Sequence, residues 1–254
     1  MAETTMSVTL LAHTQLTEQM RDKLFMCDEP FDAYVAPPID ATHGQAVALS
    51  AIRTCYSPLK PSEIVEVEGD KYFGKQATDG GTGTDADRLF RQIVASKHTS
   101  TMEHITFTFA VEGVSRALLA QLTRHRVGFS FSVQSQRYVK LGSGDKSGGF
   151  DYVVPETINN SAALDIFVET MKRLQQVYDM LRHYGIPSED ARAILPNATA
   201  TNLTMTANLR ALLDFYSKRR KGRGAQHEIT ELAERLRECV VEVEPWTDAF
   251  FGGM

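Results

Sequence analysis

At 254 residues and 43% hydrophobic composition the chain holds enough apolar side chains for a substantial core, and a single domain over residues 1–254 is expected. A net charge of −5 and a pI near 5.8 exclude binding of nucleic acid or an anionic membrane by global attraction, so any anion must be met by a local cation cluster. Cys27, Cys55 and Cys239 are odd in number and lack metal-ligand spacing, which argues against a disulfide scaffold or metal centre and for a reducing cytoplasm. The first apolar run, residues 8–12, is too short for a signal peptide or membrane span and reads as part of a strand over 7–13. Residues 14–44, with Pro30, Pro37, Pro38 and scattered acids, read as an inserted surface segment without chemistry. A helix through 46–54 leads into Arg53-Thr54-Cys55-Tyr56, where Cys55 on its own is a small core residue. The glycine-rich stretch 79–84 lacks the Lys-Ser/Thr of a phosphate loop and reads as a mobile linker. Asp85 or Asp87 then caps a helix with Leu89, Phe90, Ile93 and Val94 on one face. His98 and His104 follow, flanking Ser100; without a third ligand at useful spacing they make a poor metal pair. Residues 105–111 alternate apolar and polar, as a half-buried strand does.

Residues 114–123 place Val114, Ala117, Leu118 and Leu122 at helical spacing, and that helix ends in Arg124-His125-Arg126. Cations in a last turn ordinarily just complement the helix dipole. Beyond them Val127, Phe129, Phe131 and Val133 alternate with Gly128, Ser130, Ser132 and Gln134, predicting a strand with one core face and one polar face. Ser135 and Gln136 add short donors, and Arg137 a planar fork suited to phosphate or carboxylate. A flexible loop spans 142–149, and a long amphipathic helix spans 161–184, its stripe serving the core or a subunit contact. Arg192 lies in a short helix that stops at Pro196, and residues 201–207 alternate as a strand. The next helix buries Leu209, Leu212, Leu213 and Tyr216, leaving Arg210 and Asp214 four apart and able to meet on its other face. A basic run over 218–223 precedes the final helix, 229–243.

Several of these blocks, in this order, resemble the flavin-dependent thymidylate synthases. The carriers are Arg53-Thr54-Cys55-Tyr56, His98-Thr99-Ser100 through Glu103-His104, Arg124-His125-Arg126 with Ser135-Gln136-Arg137-Tyr138, Ala191-Arg192 with Leu195-Pro196, Asn208-Leu209-Arg210, and Ala225-Gln226 with Glu228-Ile229. One departure is visible: eight residues separate Arg126 from Ser135, where the family's serine stands one residue nearer. The resemblance implies an α+β fold, a small twisted, mainly antiparallel sheet packed with long helices. It implies reductive methylation of dUMP to dTMP, with methylenetetrahydrofolate as carbon donor and FAD reduced by NADPH, in a homotetramer with shared active sites. A reductant outside the protein is required in any case, because no side chain supplies a hydride. By resemblance His98, Ser100, Arg124, His125, Arg126, Gln134, Asn208, Arg210 and Asp214 are flavin contacts. Gln121, Arg124, Gln134, Ser135, Gln136, Arg137 and Arg192 are nucleotide contacts. The arginine that activates the uracil is Arg220 counted back from Ala225-Gln226 and Arg219 counted forward from Asn208; the first count is preferred. A rival class, a nucleic-acid module using the 218–223 run with Phe129, Phe131 and Tyr138, is opposed by the acidic net charge and the core-type spacing of the phenylalanines.

Overall fold

The structure, a computed structural model, describes residues 1–25 and 41–252; most of the inserted stretch beyond Phe25, with Cys27 and the three prolines, lies outside the described residues. In chain order the elements are β1 (Ser7–His13), α1 (Glu18–Phe25), α2 (His43–Thr54), α3 (Ile64–Phe73), α4 (Asp85–Ala95), a 3-10 turn (Thr99–His104), β2 (Thr106–Ser115), α5 (Arg116–Leu122) and β3 (Phe129–Val133). Then come α6 (Glu156–Asn159), α7 (Leu164–His183), α8 (Ser188–Ala191), β4 (Ala200–Asn208), α9 (Leu209–Arg219), α10 (His227–Val243) and α11 (Asp248–Phe251). The strands form one four-stranded antiparallel sheet in the order β1-β2-β4-β3, the mixed helix and strand architecture expected. Contacts divide the chain into two compact units, Met1–Leu11 with Thr108–Thr206 and Lys218–Leu236, and Ala12–Phe107 with Ala207–Ser217 and Arg237–Met254.

In the first unit the predicted helix at 114–123 begins two residues late, because Val114 and Ser115 end β2. The reason is the cap. Ser115 Oγ accepts the Leu118 N–H at 3.0 Å, while the Glu228 carboxylate accepts both the Ser115 N–H at 2.7 Å and the Ser115 hydroxyl at 2.5 Å. Gly113 just before it has φ +65°, and a Cβ there would stand 2.4 Å from the Thr5 carbonyl oxygen, so the close approach of β1 to β2 requires glycine. Phe129, Phe131 and Val133 are half-buried along β3 as the alternation predicts, whereas Val127 is 87% exposed because the chain is still turning out of α5. In α7 the expected apolar stripe turns inward: Met171 and Tyr178 are buried, Met171 packing with Phe150 and Tyr152, and Leu164, Phe167, Val168, Leu174 and Leu181 are half-buried, while Ile166 and Met180, outside the stripe, face outward with Tyr184 just past the helix end.

In the second unit α2, α3 and α4 bury Leu49, Ile52, Ile64, Phe90 and Ile93. The residue capping α4 is Thr84, not Asp85 or Asp87; Asp87 is the return member of its capping box. Stretch 79–84 is tied down and is no free linker. Arg91 donates to Asp79 Oδ1 at 2.8 Å and to the Thr82 carbonyl at 2.9 Å, and with the Gly81 N–H holds the Asp79 carboxyl down to about 2. In α9 Phe215 takes the buried position expected of Tyr216.

Candidate active site

The predicted site residues fall into two sets. The first unit holds Gln121, Arg124, His125, Arg126, Gln134 to Arg137, Arg192, Arg219 and Arg220; the second holds His98, Ser100, Asn208, Arg210 and Asp214.

In the first set α5 acts as a post. Its start is held by Glu228, and near its end Gln121 Nε2 donates to Gln226 Oε1 at 2.6 Å, so both ends are bound to the opening of α10 or the residue before it. The helix closes with Arg124, His125 and Arg126 in a turn, His125 N–H donating to the Leu122 carbonyl at 3.0 Å and Gly128 adopting φ +75°. Arg219, the last residue of α9, donates from Nε to His125 Nε2 at 3.1 Å. Arg220 stands just past the helix end. Because α9 runs unbroken from Leu209 to Arg219, the count forward from Asn208 to Arg219 runs along one continuous helix.

After β3, Gln134 N–H donates to the Asn202 carbonyl at 2.8 Å, which fixes where Ser135 begins. Ser135 Oγ accepts the Arg137 N–H at 3.2 Å, and Arg137 Nε donates to Glu189 at 2.6 Å. Arg192 Nε reaches the carbonyl of the same Glu189 at 3.0 Å, so α8 gathers two of the predicted arginines. Arg116, which the motif reading did not single out, belongs with them. Its Nη2 donates to the Gln134 carbonyl at 3.2 Å, and with Gln134, Ser135, Gln136 and Thr201 it lines a small cavity of about 10 Å³. Arg116 Nε, Gln136 Nε2 and Thr201 Oγ1 are buried there without a hydrogen-bond partner. Burial, then repulsion from Arg192, pushes the Arg116 guanidinium below its usual range. Buried donors left without a partner are costly, so Arg116 Nε, Gln136 Nε2 and Thr201 Oγ1 call for an acceptor that the protein's own groups do not supply. The only sequence signal for Arg116 was its place on the helix that leads to Arg124, five residues before Gln121.

In the second set the end of α4 aims His98. The His98 N–H donates to the Ile93 carbonyl and the Lys97 N–H to the Val94 carbonyl, both at 3.1 Å, a complete Schellman closure whose left-handed position is filled by Lys97 at φ +61°. Left-handed backbone costs a side-chain-bearing residue about 1–2 kcal/mol, against about 0.5–1 kcal/mol of extra chain entropy for glycine. Lys97→Gly is therefore expected to raise the melting temperature by about 1–4 °C; a lower value would show that the lysine side chain contributes more than its backbone costs. His98 Nδ1 lies 3.2 Å from the Tyr56 hydroxyl, with the rings edge to face. His98, Ser100, Thr101 and His104 line a largely apolar cavity of about 530 Å³ together with Thr54 and Cys55, so Cys55 is an exposed wall residue, not a core one. Asn208 Oδ1 accepts the Ala211 N–H at 2.9 Å and so opens α9, while Arg210 reaches across to Glu103 at 2.5 Å, a partner the i,i+4 spacing to Asp214 did not indicate. Apolar walls with a few convergent polar groups suit a heteroaromatic ring such as that of a flavin.

The family described as "Thymidylate synthase complementing protein" matches residues 39–246. The flavin-dependent thymidylate synthase of Geobacter sulfurreducens is 36% identical over 201 residues, 79% of this chain and 78% of that protein. That of Clostridium tetani is 34% identical over 79% of both. Two solved structures share the fold: the UMP/dUMP methylase PolB of Streptomyces cacaoi bound with 5-Br dUMP, at TM-score 0.68 and 22% identity over 99% of this chain and 96% of that one, and Thymidylate Synthase X of Helicobacter pylori with FAD and dUMP, at TM-score 0.60 and 20% identity over 97% of each. With its motif blocks, its sheet and this similarity over most of its length, the chain belongs to the flavin-dependent thymidylate synthase family.

Proposed function

We propose that this chain converts dUMP to dTMP by reductive methylation, taking the carbon from methylenetetrahydrofolate and the reducing equivalents from NADPH through FAD, as a cytoplasmic homotetramer with shared active sites. The observation that carries the reading is the group of buried polar atoms without a partner on Arg116, Gln136 and Thr201 beside Ser135, Arg137 and Arg192, within a chain of this family. Guanidinium forks and short donors of this kind suit a nucleotide phosphate. Ser135 has no histidine in its own motif to act as base, so it binds and does not attack.

FAD, when bound, supplies the hydride chemistry that no side chain can. His98 and Ser100 at the cavity, Asn208, Arg210 and Asp214 on α9 and its lead-in, and Arg124, His125, Arg126 and Gln134 are the residues that would hold it. Gln121 and Arg124 complete the nucleotide set. The uracil needs a donor that stabilises negative charge as it develops in the ring, which is electrostatic catalysis without a protein nucleophile. Arg219 is the better supported candidate over Arg220, since His125 holds its guanidinium in place. The outward apolar residues Ile166 and Met180 of α7 and Tyr184 just after it support self-association.

Fluorescence titration of the full chain with FAD tests the reading. Saturable binding is expected, with oligonucleotides binding only weakly and losing that binding as salt rises. Tight oligonucleotide binding at physiological salt with no flavin binding would overturn it.

A further inference from the structure

The cavity that His98 and Ser100 line has a wall from outside the family-matched region 39–246: Leu16 and Met20. Their segment is clamped at its start. Thr14 N–H donates to the Thr106 carbonyl at 3.0 Å and Thr14 Oγ1 accepts the Thr106 N–H at 2.8 Å, while the Leu16 N–H donates to His43 Nδ1 at 3.1 Å at the start of α2. Three hydrogen bonds, one of them main chain to main chain, at Thr14 and Leu16 set where Leu16 sits, and α1, beginning at Glu18, carries Met20 onward from it. The α2 residues lining the same cavity are short, chiefly Ala46, Ser50, Ala51 and Thr54, so depth comes from α2 and bulk from Leu16 and Met20. Both residues are half-buried, and a methionine thioether packs well against aromatic faces and edges.

We propose that Leu16 and Met20 are specificity-determining residues of this cavity, forming the apolar wall against which a planar nitrogen-heteroaromatic ring packs. The proposal rests on the function given above and extends it to a segment that carries none of the family's motifs. Two ring sources share this chemistry, the isoalloxazine of FAD and the pterin of the folate donor, and the test separates them.

Leu16→Ala, Met20→Ala and the double variant are compared with the unaltered protein in three measurements: FAD fluorescence titration of flavin-stripped protein, the KM for methylenetetrahydrofolate, and calorimetric dUMP affinity. Each single change is expected to weaken one ring ligand about threefold to tenfold, and the pair about tenfold to a hundredfold, with dUMP affinity within about twofold. A shift in the FAD constant assigns the wall to the flavin; a shift in the folate KM alone assigns it to the pterin. Met20→Leu, which keeps the bulk, should restore binding to within about twofold. Melting temperatures check folding, and should the double variant unfold, the singles and Met20→Leu carry the test. Ring affinities unchanged in folded variants, or a parallel loss of dUMP binding, overturn the proposal. If the unaltered protein itself fails to bind FAD, the function reading fails instead.

Discussion

Arg219→Lys is expected to slow dTMP formation from pre-reduced enzyme about a hundredfold to a thousandfold while changing dUMP affinity far less. The argument is geometric. Arg219 ends an unbroken helix and donates from Nε to His125 Nε2, which leaves the rest of its fork free to be aimed. Lysine keeps the charge and loses the plane, the delocalisation and the several fixed donors that a ring gaining negative charge requires. Contacts made chiefly in the transition state are worth about 2.7–4 kcal/mol each, which sets the expected loss. Arg220→Lys, one residue past the helix, should stay within a few-fold of the unaltered rate. Single-turnover rates of both variants, beside their dUMP dissociation constants, decide the matter; the reverse ranking gives the role to Arg220.

Arg116→Ala should weaken dUMP by about thirtyfold or more, the loss expected when one partner of a desolvated charge pair is truncated, about 2–5 kcal/mol. Binding of deoxyuridine, which lacks the phosphate, should hardly change. The contrast matters because Arg116 sits in the first turn of α5, where its removal also deletes a hydrogen bond to the Gln134 carbonyl. A purely structural role would lower both affinities together. Equal losses for nucleotide and nucleoside would contradict the assignment.

The strand β3 was legible because a period of two is set locally, and Phe129, Phe131 and Val133 turn inward as the alternation predicts. The motif ends around it were legible as residue types only, and their partners, such as Glu189 for Arg137, were not. What pattern missed was decided by tertiary partners. The helix after β2 starts at Arg116 only because Glu228, more than a hundred residues away, takes the Ser115 N–H and hydroxyl. Arg116 carried no motif, and only the fold shows its guanidinium partly stripped of water by burial. The two counts that gave Arg219 and Arg220 could not be separated in the sequence, because only the fold shows that Arg219 ends α9 and meets His125 while Arg220 lies just past the helix. Glycine would be the expected residue at the left-handed position before His98, and a lysine there hides a helix stop from propensity alone. Leu16 and Met20 lay in a segment read as an insertion, since two apolar side chains among polar neighbours carry no signal until a cavity forms beside them.

An anaerobic single-turnover assay of the full chain with FAD, NADPH, methylenetetrahydrofolate and dUMP, each omitted in turn, decides whether the chain makes dTMP by this route. dTMP is expected only when all four are present, with one tetrahydrofolate released per dTMP. Formation of dTMP without flavin or NADPH, dihydrofolate as the co-product, or no dTMP from protein that has bound FAD and dUMP would contradict it.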